Sequence, residues 1–237
     1  MSSNGAAGGI RHLACIMDGN RRWARKQAAT NLYTHDSAQA VFEVVAACKK
    51  HSIPYLSLYA FSLENDGGRD DELKQHLFAA LIDACINRQH TFIEQGVKVV
   101  FVGLRERYPA AVLAAIESLE SATASQTGLY LSVLFYYGGR QEIVAAAQAI
   151  VQAVAAGALM PEAVNATVFE SYLLTGPVPP PDVIIRTGGA QRLSNFLLYQ
   201  AAYSELFFLD CLWPEVTTAT IERCLEQFGA IERNFGK

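Results

Sequence analysis

Residues 13–27 read LACIMDGNRRWARKQ. The run Leu13 to Met17 is short, continuous and apolar, and Asp18-Gly19-Asn20 follows it, which is how a strand buried on both faces reads before a turn. A helix is expected next, with Asn20 as its N-cap. The charges on that helix are oddly placed. Arg21, Arg22, Arg25 and Lys26 stand near an end whose partial positive charge disfavours cations, so an anion should offset them. The plain alternative is a solvated basic face, and this stretch alone leaves both readings open.

The same pattern recurs along the chain. Apolar or β-rich runs at Leu13–Met17, Tyr55–Phe61, Val97–Val102, Leu129–Tyr137, Val183–Ile185 and Glu205–Leu209 alternate with helical patterns. The helices are expected near 22–26, 37–50, 71–95, 110–122, 141–156, 168–174, 194–202 and 218–234. Parallel strands need long crossovers, so the fold class is α/β: a single domain with a central six-stranded, mostly parallel sheet surrounded by helices. Its expected bounds are 11–237, behind a small polar disordered tail over 1–10. The proline-rich TGPVPPP (175–181) is too short for an interdomain linker and reads as a rigid loop delivering the fifth strand.

Composition narrows the function. The 237 residues, 51% hydrophobic and 18% charged, are enough for one sizeable core. The formal charge of −4 argues against a nucleic-acid surface and makes the basic clusters discrete anion sites. Five scattered cysteines without a CxxC pair speak against a disulfide frame or zinc site and for reduced thiols in a cytoplasm. The start has no signal-peptide core, and Ile143 to Met160 is alanine-rich with Gln148 and Gln152 on one face, so a packed helix is expected rather than a membrane span.

In such sheets ligands bind beyond the carboxyl ends of the strands. Those ends carry Asp18-Gly19-Asn20, Ser62-Leu63-Glu64-Asn65, Gly138-Gly139-Arg140 and Arg186 to Ser194. Glycines for close backbone approach beside arginines and hydroxyls indicate phosphate chemistry. Two basic loops, around Arg22 and around Arg186 to Ser194, would hold two phosphate-bearing ligands, and Asp18 is suited to a magnesium ion bridging phosphate oxygens. No GxxxxGK[ST] loop occurs, and DGNRRW is not a GxGxxG fingerprint.

HLACIMDGNRRWARK, SLYAFSLEN, LFYYGGR, IIRTGGAQRLSNFLLYQ and YSELFFLDCLWPE, in this order and spacing, resemble the cis-prenyltransferases, the undecaprenyl diphosphate synthase family. The resemblance runs from His12 to Gly236. It implies a homodimeric fold with an apolar tunnel, binding isopentenyl diphosphate and an allylic prenyl diphosphate and joining them in cis configuration to a polyprenyl diphosphate, with Mg2+. By position, Asp18 resembles the family's magnesium-binding acid. Gly19, Asn20, Arg21, Arg22, Trp23 and His35 match the allylic diphosphate cradle. Arg186, Arg192 and Ser194 match the isopentenyl diphosphate site, Glu205 an acid that organises magnesium there, and Ser62 and Asn65 a polar pair near the reacting carbons. A DDxxD motif is absent, which favours the cis class.

There are also departures. Asn31 stands where the family usually has an arginine, the pattern SxENWxRP reads SLENDGGR with Asp66 for the tryptophan and Gly68 for the arginine, Ala190 replaces an acid, and Tyr136 replaces the asparagine before YGGR. Arg69 stands one position from the missing arginine. Ala60 is small, whereas Leu134, Phe135 and Tyr136 are large enough to narrow a tunnel and shorten the product, or simply pack as core. Two alternatives follow from the departures: an irregular or cyclic short-chain synthase using two allylic substrates, and a non-catalytic partner subunit. His12, His51, His76 and His90 read as structural, and Trp213-Pro214 as a packing or dimer contact. Membrane contact is expected to be peripheral at most.

Overall fold

The computed structural model describes residues 9–27, 35–68 and 71–231. Six strands form one sheet: β1 (His12–Ile16), β2 (Tyr55–Ser62), β3 (Val97–Val102), β4 (Leu129–Tyr137), β5 (Val183–Arg186) and β6 (Glu205–Phe208), in the order β3-β4-β2-β1-β5-β6. Every pairing is parallel. β1 and β5 are buried at every residue, because helices and loops cover both faces, and that is why their sequences are continuously apolar rather than alternating. The chain leaves β1 toward β2 on one side and later returns to β5 on the other. The carboxyl ends of β1 and β5 therefore flank the switch point where ligands enter such sheets.

Helices α1 (Asn20–Lys26), α2 (His35–Lys50), α3 (Leu63–Gly68), α4 (Asp71–Asn87), α5 (Gln89–Glu94), α6 (Ala110–Thr123), α7 (Gly139–Ala155), α8 (Ala166–Ser171) and α9 (Thr218–Gly229) connect the strands. Side chains alternate along β1. Leu13 and Cys15 join the larger core under α2, α4, α6 and α9, while Ala14 and Ile16 join a smaller one with Phe196 and Leu197. Trp213 packs on α2 and donates its indole N–H to the Ser37 carbonyl at 3.0 Å. His12 is buried, linked to the Pro179 carbonyl at 2.6 Å and the Ser57 hydroxyl at 2.9 Å, so the proline-rich loop is fastened where it feeds β5.

Several expectations are corrected. Ile10 is not tail but core, 6% exposed; residues 1–8 lie outside those described. Asn20 is the first helical residue and the cap is Gly19, in the left-handed region at φ 111°. The helix expected over 71–95 breaks at Arg88 into α4 and α5. No α-helix spans 194–202: Ser194, Asn195 and Leu197 all have positive φ, and a 3-10 turn follows at Gln200–Tyr203. No helix among the described residues is long and apolar enough to cross a membrane.

Candidate active site

A cavity of about 900 Å³ opens at the carboxyl ends of β1 and β5 and runs down between the sheet and helices α2, α4, α5 and α6. Its mouth is charged and its depth is apolar. Asp18, Arg21, Arg22, Arg25, Arg186 and Arg192 line the mouth; Leu81, Cys85, Phe92, Phe101, Leu119 and Leu131 line the far end. From Ser62, paired with Tyr137, down to Leu131 the depth is about 20 Å at the usual rise per strand residue.

At the mouth, Asp18 follows β1 in a turn whose N–H donates to the Ile16 carbonyl at 2.9 Å. Gly19 allows that turn, because a Cβ there would lie 2.9 Å from Leu212 Cδ2 and 3.0 Å from Leu212 Cα. Asn20 does not cap α1; its amide donates to the Met17 carbonyl at 3.1 Å and its oxygen accepts from the Ser37 hydroxyl at 2.8 Å. Arg22 donates to the Gly188 carbonyl at 2.6 Å and lies 3.9 Å from the Asp18 carboxylate.

The second basic loop meets the first through Arg186, 4% exposed. One terminal nitrogen donates to the Arg192 carbonyl at 2.6 Å and the Ser194 hydroxyl at 2.7 Å; the other donates to Asp18 Oδ2 at 2.9 Å. Its Nε is buried without a partner among the described residues, an unmet donor that costs about 1–3 kcal/mol until an acceptor arrives. The left-handed residues of this loop are held from outside. Asn195 accepts the Gly139 N–H on its carbonyl and the Arg140 N–H on its side chain, both at 2.8 Å, and donates to Glu64 Oε1 at 2.6 Å. Strained backbone persists where surroundings over-determine it, commonly at functional sites. The Tyr59 hydroxyl reaches the Ser194 carbonyl at 3.4 Å, and burial, then Glu64, pushes its pKa upward.

Five arginines thus face two carboxylates, Asp18 and Glu64, around one opening. The arginines of α1 therefore line the same opening as those of the second basic loop. Magnesium fits it in one way. No cluster of three metal-type side chains occurs among the described residues, so the ion would rest on the Asp18 carboxylate and complete its shell with phosphate oxygens and water, the habit of Mg2+ at phosphate sites.

The residues named from sequence divide. Asp18, Gly19, Asn20, Arg21, Arg22, Ser62, Asn65, Arg186, Arg192 and Ser194 all line the cavity. Trp23 does not, although it lies on the same short helix. Glu205 is also apart: the parallel register sets it beside Val183, at the opposite end of β5 from Arg186, so within one chain it cannot share an ion with Asp18. His35 opens α2 with its side chain outside the described set, and Arg69 and Asn31 lie outside the described residues. Of the two readings of the large β4 residues, the structure shows core packing and not a narrowed cavity. Leu131 and Val133 line the cavity, whereas Leu134 belongs to the opposite core and Phe135 and Tyr136 are packed away from the opening. Sequence reasoning missed Tyr59 and Asn195; Arg25, read there only as one of the cations of the first helix, also lines the cavity, one helical turn from Arg21 and Arg22.

The sequence model of the prenyltransferase family described as undecaprenyl diphosphate synthase matches residues 16–236. A ditrans,polycis-undecaprenyl-diphosphate synthase of Xanthomonas campestris pv. campestris is 40% identical over 238 residues, covering 99% of this chain and 91% of its own. An isoprenyl transferase of Geobacter sulfurreducens is 38% identical over 228 residues, 96% and 92% of the two chains. Among solved structures, lavandulyl diphosphate synthase from Lavandula x intermedia, in complex with dimethylallyl diphosphate, superposes with a TM-score of 0.91 at 27% identity, over 96% of this chain and 98% of that one. A Campylobacter jejuni protein described as a probable undecaprenyl diphosphate synthase gives 0.80 at 28% identity, over 97% and 100%. The chain belongs to the undecaprenyl diphosphate synthase family of cis-prenyltransferases.

Proposed function

We propose that this protein condenses isopentenyl diphosphate with an allylic prenyl diphosphate in cis configuration, lengthening a polyprenyl diphosphate. The observation that carries the reading is the cavity itself, a ring of guanidinium groups leading without interruption into an apolar shaft. Only a ligand with an anionic head and a long apolar tail satisfies both ends.

The allylic diphosphate sits at the start of α1 against Gly19, Asn20, Arg21 and Arg22, and its tail descends toward Phe92 and Phe101. Isopentenyl diphosphate is held by Arg186, Arg192 and Ser194, where the free Nε of Arg186 gains its acceptor. Asp18 would hold Mg2+, which would supply electrostatic stabilisation of the departing diphosphate. The arginines fix both heads and neutralise charge as the allylic carbon–oxygen bond breaks, the isopentenyl alkene forms the new carbon–carbon bond, and one proton is lost. Ser62 and Asn65, above the shaft, face the place where the two tails meet.

A homodimer has ground to form on: β6 is an edge strand of the sheet, with Leu206 42% exposed beside Tyr203 at 75%. The site belongs to cytoplasmic chemistry at the face of a membrane that takes up the apolar product. A second reading, an irregular synthase joining two allylic units, is favoured by the close superposition on lavandulyl diphosphate synthase. Incubating purified protein with Mg2+ and dimethylallyl, geranyl or farnesyl diphosphate, with and without isopentenyl diphosphate, decides. Elongated products that require isopentenyl diphosphate support the main reading; branched products from dimethylallyl diphosphate alone support the second; no product from any pair overturns both.

A further inference from the structure

Two positions that depart from the family pattern, 70 residues apart in sequence, touch in the fold. Tyr136 donates its hydroxyl to Asp66 Oδ1 at 3.2 Å. It reaches there through a local irregularity: β2 and β4 pair Phe61 with Phe135 but Ser62 with Tyr137, so Tyr136 is the extra residue of a bulge, in the left-handed region at φ 50°. Bulges re-aim side chains, and this one turns Tyr136 onto the same face as Phe135, into a packed group of rings with Phe61, Phe78 and Tyr108. Its phenol pKa is pushed up to about 12, by burial first and then by Asp66, so it remains a hydrogen-bond donor at neutral pH.

Asp66 gathers more partners. Arg107 lies 3.5 Å from its carboxylate and Lys74 3.8 Å, and Lys74 also donates to its carbonyl at 3.1 Å. One acid thereby ties α3 to β4, to α4 and to the turn after β3. Successive helical residues point about 100° apart, so Glu64 and Asp66 splay to opposite sides with Asn65 between them. Glu64 is held by Asn195, on the loop of Arg186, and Asp66 by Tyr136; Asn65 lines the cavity. We propose that Asp66 and Tyr136 are positioning residues that set the aim of Asn65 into the cavity, a polar clamp standing where the family pattern has tryptophan and asparagine.

The inference rests on the prenyl-transfer reading for its kinetics but not for its geometry, so its test has two arms. Tyr136→Phe removes only the hydroxyl, Asp66→Asn only the charge. Each is expected to lower kcat about tenfold or more, since a group misplaced by about 1 Å can cost up to a hundredfold, while KM for both diphosphates stays within about twofold because their anchors stand on other loops. The double variant should be no worse than the poorer single, as for groups acting as a unit. Independently of turnover, backbone amides over 62–68 should exchange with deuterium faster in Tyr136→Phe while those of β1 and β5 do not. Parent-like exchange over 62–68 in folded Tyr136→Phe, kcat losses that multiply in the double variant, or a rise in KM with kcat unchanged overturns the clamp. If the parent itself turns over no prenyl donor, the proposed activity fails, and the exchange comparison still decides whether the pair holds α3.

Discussion

Gly19 joins the acid of the site to the helix of cations, and replacing it with alanine has a cost that can be built from its surroundings. At φ 111° a side chain meets the left-handed penalty, about 1–2 kcal/mol. The added Cβ would also lie 2.9–3.0 Å from three atoms of Leu212, one of them backbone. That segment has little room to retreat, because the Trp213 N–H donates to the Asp18 carbonyl at 3.0 Å and the Leu212 N–H to Glu215 Oε2 at 2.7 Å. Overpacking of this kind adds about 1–3 kcal/mol, so Gly19→Ala should cost about 2–5 kcal/mol. Gly157 separates the two contributions: its φ is 72° and nothing lies within 4 Å of the place a methyl group would take, so Gly157→Ala should cost only the conformational 1–2 kcal/mol or so. Gly229, without positive φ or neighbours, should be within about 0.5 kcal/mol of the parent. Urea unfolding of the three variants at constant m-value reads the series. If Gly19→Ala is no less stable than Gly157→Ala, the contact with Leu212 does not constrain the turn and the account of Asp18's placement is wrong.

Asp18→Asn should fold, since the side chain is 35% exposed, yet lose at least a hundredfold in turnover with saturating Mg2+; activity within tenfold of the parent removes the acid from the mechanism. His12 predicts a pH dependence of stability. Burial lowers its pKa from 6.5 to about 4, so the folded protein holds it neutral while the unfolded chain takes up a proton. Its contribution is complete above pH 6.5 and fades as pH falls toward 4, by about 3 kcal/mol in all. The urea midpoint of His12→Gln should therefore slope less between pH 7 and 4 than that of the parent, and an equal slope rejects the assignment. Ala60 lines the shaft, so Ala60→Leu should shift products toward fewer isoprene units on chromatography; an unchanged distribution places the length limit elsewhere.

The strands were legible because their burial is written locally. β3 and β4 have the bounds expected from their apolar runs, β2, β5 and β6 differ from theirs by one residue at one end, and β1 is shifted by one residue at both. A parallel strand covered on both faces needs apolar residues throughout, whatever its partners are. That the glycine, arginine and serine clusters at strand ends would meet around one opening was legible for a related reason, since ligands enter such sheets at the carboxyl ends of the strands. What failed was everything decided by register or by distant contacts. Glu205 is drawn away from Asp18 by a pairing with Val183 that no local pattern encodes, and the stretch after Ser194 looks helical until Gly139, Arg140 and Glu64 seize Asn195.

Tyr136 shows most clearly why such features escape a linear reading. Strict alternation along β4 assigns it to the face of Leu134, opposite Phe135, and on that face it would have no relation to α3. One extra residue in the ladder reverses the assignment, and the aromatic side chain then has both a packed site among Phe61, Phe78 and Tyr108 and an acid within reach of its hydroxyl. Asp66, read alone, is a poor substitute for a large aromatic residue in a short helix ending in two glycines. Read together with Tyr136, Lys74 and Arg107, it exchanges apolar anchoring of α3 for charge-assisted hydrogen bonding. Departures from a family pattern at this site are therefore best judged in spatial pairs, since a substitution that removes one anchor is tolerated where a second, distant in sequence, supplies another.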